Sequence, residues 1–333
     1  MLGGSLIAAL AFSSCSNFMH DELPACNPDY RLRLSYVKNM AYSERVDQVE
    51  AAEVYAFDDE GNLKFFTVSD RAALEANDWT VSLKEAKRLT NYNIVVWGGL
   101  TSESPFSLDG SRSFNSSGDI TCRLIPEIDE EGNSVNTKTF PGLFHGTTRV
   151  SYSDYENPEE YKVELTKNTN VLDVTLRRDD NFNIGPQEFI VKVTDNNGVM
   201  SSTNEVSGDA TIHYMSQTPQ SGEYNKPDGQ GGYLDETTLG ALAEVHLARL
   251  MPDSQARLIV IQAEGNNEIF NEKLIDMLME AKKYTYPDMD VQEYLDRMDH
   301  FTVDISMDIK DYFANLSIYV AGWAVMNYEV EWK

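Results

Sequence analysis

Apolar and polar residues alternate with a period of two along most of this chain. Leu32, Leu34 and Tyr36 follow that spacing, as do Val54 and Ala56 against Glu53 and Tyr55, and Leu172, Val174 and Leu176. Further on come Phe189, Val191 and Val193, then Phe301, Val303, Ile305 and Met307. Each set puts its side chains on one face of an extended segment and predicts a half-buried β-strand. Between them recur turn signals of one kind: Asp58-Asp-Glu-Gly-Asn62, Asp129-Glu-Glu-Gly-Asn133 and Asp195-Asn-Asn-Gly198. In each, Gly or Asn can take the positive φ that a tight hairpin demands. Many short strands joined this way imply an all-β chain packed as a sandwich or barrel.

A few short helices interrupt the strands. Over 271–283, Leu274, Ile275, Leu278 and Ala281 recur at helical intervals, and Lys282-Lys283 favour the C-terminal end of the helix dipole. Shorter helices are predicted over 291–298 and 69–76, the latter capped by Ser69 or Asp70. The Gly-, Ser- and Asn-rich stretch 217–232 is too poor in apolar residues for core, which predicts a large loop inserted in the second half. A length of 333 residues suits two domains. With a boundary near His145 to Tyr152, the expected division is 28–147 and 148–333.

Ahead of these lies the apolar run Leu6-Ile-Ala-Ala-Leu-Ala-Phe-Ser-Ser-Cys15, after which the chain turns polar and acidic. Small and apolar residues before a cysteine suit a peptidase that cleaves beside a lipid-bearing Cys, so 1–14 is expected to be a lipoprotein signal and 15–27 a lipidated leader. The run carries no Lys or Arg, unlike a complete signal, which leaves Met1 as an internal methionine of a longer leader. It is also too short for a transmembrane helix, which needs about 20 such residues.

Charge narrows the partners. With 54 acidic against 27 basic side chains the net charge is -27, and the basic residues are dispersed. Nucleic acid is excluded as a partner, since phosphate neutralisation needs clustered Lys and Arg. Attraction to anionic lipid is excluded too, so membrane contact must come through the lipid on Cys15. Cys26 and Cys122 are the pair available for a disulfide in an exported chain; two separate thiols are the alternative.

No catalytic signature emerges. The five histidines, His20, His145, His213, His246 and His300, match no zinc spacing, and His145 and His213 are expected to pack or sit at strand edges. Nucleophile-elbow, phosphate-loop and dinucleotide-turn motifs are absent from the sequence. The acidic loops lack the spacing of a calcium loop, and acidic pairs such as Asp288 with Asp290 are expected to be solvated surface. The expectation is a non-enzyme with no cofactor, no metal and no small-molecule substrate. Trp97 lies in the apolar run Ile94-Val-Val-Trp97 and is expected in the core, whereas Trp323 and Trp332 flank the last strand.

Several local patterns, in their order and spacing, carry a resemblance: Val54-Tyr-Ala-Phe57 running to Gly61; Leu143-Phe-His-Gly146; Leu165-Thr-Lys-Asn-Thr-Asn170; the strand from Phe189 ending in Thr-Asp-Asn-Asn-Gly198; Ala248-Arg-Leu250; Gln292-Glu-Tyr-Leu-Asp296; and the closing Ile318 to Trp323. Together they make the chain similar to the fimbrial anchor and minor-subunit lipoprotein family of Bacteroides-type (type V) fimbriae. That resemblance implies two tandem transthyretin-like β-sandwich domains on a lipoprotein held in the outer membrane and facing outward, at the base of a fimbria. It implies fimbrial subunits as partners, joined by strand addition. Polymerising subunits of such fimbriae lose their first strand to a protease. Here no clear Arg-led processing site precedes an extended strand, although Arg31, Arg33 and Arg45 lie in the region.

The final segment is the candidate joining strand, because Ala324, Met326, Tyr328, Val330 and Trp332 alternate with polar residues up to the C-terminus. Pairing within its own sheet is the alternative, and is the expectation for an anchor. A surface glycan-binding lipoprotein remains the competing class, and requires Trp or Tyr on one exposed face.

Overall fold

The computed structural model describes residues 30–86, 90–109, 116–151, 160–180, 182–185, 187–208, 210–216, 219–310 and 312–332. Cys15, Cys26, His20 and the expected signal and leader lie outside the described residues. Within them the chain is all-β with three short helices.

Strands are numbered in chain order and form five sheets. One runs β11 (Glu160–Glu164), β1 (Arg31–Ser35), β4 (Thr80–Ser82). A second runs β12 (Thr166–Lys167), β10 (Phe144–Val150), β5 (Tyr92–Gly98), β2 (Ala51–Phe57), β3 (Leu63–Asp70). A third runs β16 (Val206–Ser207), β15 (Val199–Ser201), β7 (Thr121–Leu124), β6 (Phe106–Leu108). The fourth runs β21 (Asn267–Lys273), β20 (Arg257–Gln262), β14 (Phe189–Asp195), β17 (Ile212–Met215), β9 (Ser134–Asn136), β8 (Glu127–Ile128). The fifth runs β18 (Gln220–Pro227), β19 (Tyr233–Ala248), β13 (Thr169–Arg178), β22 (His300–Lys310), β23 (Phe313–Val320), β24 (Trp323–Glu331).

Two cores hold these sheets together. The first lies between the β1 and β2 sheets and buries Leu32, Leu34, Tyr36, Val54, Ala56, Ile94, Val96 and Phe144. The opposite face of the β2 sheet, with Tyr55, Phe57, Val95 and Trp97, joins the second core, which also holds Ile120, Cys122, Leu172, Val193 and Val303. Strand β2 is thus buried along its whole length, not half-buried as its alternation suggests. Its one carboxylate, Glu53, accepts a hydrogen bond from the Tyr55 hydroxyl at 2.5 Å, so the polar position is satisfied in place.

Strand pairing crosses the boundary expected at 147/148 in both directions. Residues of β7 pair with β15 and those of β9 with β17, while β11 returns to β1 and β12 to β10. Local periodicity reports which face a residue takes but not which strand it meets, so these exchanges left no mark in the sequence.

The helices follow prediction with shifted ends. Helix α1 (Arg71–Ala76) is capped by Asp70, whose carboxylate accepts from the Ala73 N–H. Helix α2 (Leu274–Thr285) starts later than predicted because 271–273 complete β21, and α3 is Val291–Arg297. The predicted loop 217–232 is instead mostly strand. It contributes β18 and the turn of a hairpin with β19; an edge strand needs no apolar stripe, so its polar composition hid it. Beyond Gly240 the hairpin leaves β13 and crosses the outer face of its sheet as a strap. There the Tyr233 hydroxyl donates to Asp304 at 3.0 Å, and Arg177 donates to the Asn225 carbonyl at 2.9 Å while pairing with Asp304.

Candidate functional site

Five of the motifs that carry the family resemblance supply residues to the seam between the two cores. Asp296 of α3 is 3% exposed. Its carboxylate accepts from Arg249 Nη2 at 2.7 Å, from Lys38 Nζ at 2.7 Å and from Gln292 Nε2 at 2.7 Å. Arg249 also donates to the Asn204 carbonyl at 2.6 Å. Since Lys38 follows β1 and Arg249 follows β19, one buried acid ties three distant stretches of chain. Arg297 adds a donation to the Val37 carbonyl and stacks over Tyr42, 4.4 Å from the ring centre. Nearby, Asn168 N–H donates to the Leu143 carbonyl at 2.6 Å, and Asn197 donates to the carbonyls of Ala248 and Arg249. These groups satisfy main-chain polar atoms where loops pass through the interior, a structural task.

His145 belongs to the same seam. It is buried, edge-on to Trp97 with ring centres 4.6 Å apart, and its Nε2–H donates to the Ser202 carbonyl at 2.9 Å. Burial pushes its pKa down to about 4, so the imidazole is neutral. His213 lies on β17, half-buried. Among the described residues no cluster of His, Cys, Asp or Glu has the arrangement of a metal site. Cys122 is fully buried in the second core, where burial raises its thiol pKa. The tryptophans do not share a face. Trp97 is core, Trp79 lies under Arg71, Trp323 stacks on Tyr284 at 4.8 Å, and Trp332 leans on Phe189.

The first of the described strands lies inside its own sheet. Strand β1 is central in its sheet, parallel to β11 and antiparallel to β4, with Leu32 and Leu34 fully buried. Arg33, within it, pairs with Glu160 at 2.6 Å and Asp78 at 3.0 Å.

The candidate joining strand β24 pairs with β23 and forms the edge of its sheet. A bulge between Ile318 and Tyr319 of β23 inserts one extra residue on the β24 side, which flips the alternation. Trp323, Val325, Met326, Val330 and Trp332 pack on the core, Tyr328 meets Phe270, and Ala324 is exposed. Of the set Ala324, Met326, Tyr328, Val330 and Trp332, Ala324 and Tyr328 are exposed and the other three are half-buried. Backbone direction follows from one bond: Trp332 N–H donates inward to the Tyr312 carbonyl at 2.6 Å. By antiparallel alternation Tyr328 and Val330 also turn their main chain toward β23, and Asn327, Glu329 and Glu331 turn theirs outward. Two groups already meet this outer edge. The Asn267 amide reaches the Glu331 carbonyl at 3.4 Å, and Ala324 N–H donates to the Gly229 carbonyl of the strap at 3.3 Å.

The model of the fimbrillin-A associated anchor proteins Mfa1 and Mfa2 matches residues 23–329. The chain belongs to this family. Solved structures share its fold. A candidate adhesin from Bacteroides thetaiotaomicron VPI-5482 is 24% identical with a TM-score of 0.73, over 89% of this chain and 97% of that one. A candidate adhesin from Bacteroides ovatus is 21% identical with a TM-score of 0.71, over 92% and 96%. The fimbrial anchor protein Mfa2 from Porphyromonas gingivalis is 16% identical with a TM-score of 0.63, over 90% and 99%. No curated protein matches the chain. Membership of this anchor-protein family gives the chain a fimbria-associated role at the cell surface and other fimbrial proteins as partners.

Proposed function

We propose that this chain is the structural lipoprotein that tethers a fimbria to the outer membrane. The lipid on Cys15 holds one end, and main-chain pairing along the outer edge of β24 joins fimbrial subunits at the other. The observation that carries it is the edge itself: Asn327 and Glu329 direct main-chain groups away from the fold, while β1 stays seated between β4 and β11. Such an edge is a template for an added strand.

Proline separates joining from folding. Asn327→Pro removes an outward N–H and no internal ladder bond, so it is expected to cost less than about 1 kcal/mol. Tyr328→Pro removes an inward one, leaves the facing Leu316 carbonyl without its donor, and is expected to cost about 1–3 kcal/mol. In cells, Asn327→Pro is expected to leave a folded, membrane-held protein and release fimbriae into the medium. Fimbriae that stay attached to such cells would exclude β24 as the joining edge. Cys15→Ala is expected to shed fimbriae with this protein still on them, read by blotting the medium for both; protein retained on the membrane would exclude Cys15 as the tether.

A further inference from the structure

The tip of the strap sits where an incoming strand would begin. Its turn, 228–232, is organised by Asp228, whose carboxylate accepts from the N–H groups of Gln230 at 2.7 Å and Gly232 at 2.9 Å. Gly229 and Gly231 have φ of +76° and +89°. Gly231 lies flat on the Trp323 ring, so that a Cβ there would stand 2.4 Å from it. Gly229 and Gln230 both bridge to Trp323, and the Gly229 carbonyl takes the Ala324 N–H. The strap thus shows directly that this end of the β24 edge accepts main-chain pairing. It also covers the ring face that a joining strand would otherwise use as an apolar platform.

We propose that the strap tip is an intramolecular placeholder on the joining edge, and that an extended strand of a partner protein displaces it. The incoming strand pairs with β24 from Ala324 toward Glu329 and sets an aliphatic side chain on Trp323 in place of Gly231. The contacts suit a reversible cover. At the tip they are one main-chain hydrogen bond of 3.3 Å, the bridges to Trp323 and the packing of glycines on the indole and on Gly322, with no side-chain hydrogen bond to the sheet among the described residues, whereas the base of the strap is fastened by Tyr233, Arg177 and Asp304. Opening therefore hinges between Tyr233 and the tip and leaves the sheet beneath intact. The proposal rests on the assignment of β24 as the joining edge.

A disulfide tests it. A Cβ at Gly229 would stand 3.6 Å from that of Ala324, within the span of about 3.5 to 4.5 Å that a disulfide bridges. The variant Gly229→Cys/Ala324→Cys closes the strap when oxidised and frees it when reduced, with any strain at residue 229 present in both forms. The probe is a fluorescent ten-residue peptide of alternating valine and threonine with a lysine at each end, added to the full-length protein in detergent. The reduced form is expected to bind it at least about tenfold more tightly than the oxidised form, and Asp228→Ala to bind it several-fold more tightly than the native chain. Amide exchange at position 324 of this variant is expected to slow at least tenfold on oxidation. Equal peptide affinity in both redox forms, with Asn327→Pro still abolishing binding, overturns the placeholder and leaves the edge standing. Peptide binding unchanged by Asn327→Pro overturns the edge and the placeholder with it.

Discussion

Asp296→Ala is expected to destabilise the protein by about 3–5 kcal/mol, read as a shift of the urea midpoint at neutral pH. The residue is 3% exposed and accepts from Arg249, Lys38 and Gln292. Removing it leaves the Arg249 guanidinium, itself 7% exposed, without its counter-charge. The large effect comes from that stranded charge rather than from the attraction lost. Two controls follow from the same physics. Lys38→Ala should cost only about 1 kcal/mol, since the Lys38 side chain is 27% exposed and water replaces its partner. Replacing both charges, as Asp296→Leu with Arg249→Met, should recover most of the loss. A single-mutant cost under about 1 kcal/mol would mean that the seam is held by apolar packing alone.

Stability is expected to fall as pH drops from about 6.5 to about 4, with roughly 3 kcal/mol of the change due to His145. Its folded pKa of about 4 lies below the ordinary histidine value of 6.5, mainly through burial. Across that window the unfolded chain binds a proton that the folded chain does not, so acid favours unfolding. Above pH 6.5 neither state is protonated and the slope vanishes. Asp195 and Asp304, raised by burial, act in the opposite sense because their folded forms take up protons first. The contrast that isolates the histidine is therefore His145→Gln against the native chain at pH 7 and pH 4.5. The variant should be weaker at pH 7 yet lose less on acidification; parallel curves would show that His145 does not titrate as described.

Much of the fold was legible in the sequence because alternation and turn chemistry are local. Leu32, Leu172, Val191 and Val303 lie inside as their spacing says, and Trp97 is core. What escaped depends on partners that sequence does not name. Strand β2 is covered on both faces because a third layer lies over Tyr55 and Phe57, and the strands of 106–136 cross to the second half. The strap has the composition of a loop since its residues face water or other polar groups. Along β24 a single bulged residue reversed the alternation, exposing Ala324 and turning Val325 inward. Of the candidate site, the strand was visible and its outward main-chain groups were not, because hydrogen-bond direction follows register. The seam was visible only as separate motifs: Arg249, Gln292 and Asp296 read as scattered polar residues until the fold brought them together.

The placement of β1 bears on how such a molecule would resist pulling. Its five residues are bonded to β11 on one side, and Arg31–Arg33 to β4 on the other. Tension from a lipid-held N-terminus would act along the strand axis, so that these bonds are loaded together in shear rather than opened one at a time. For a tether, the relevant strength is then a rupture force set by both flanks of one short strand. That force can be high even where the equilibrium stability is ordinary.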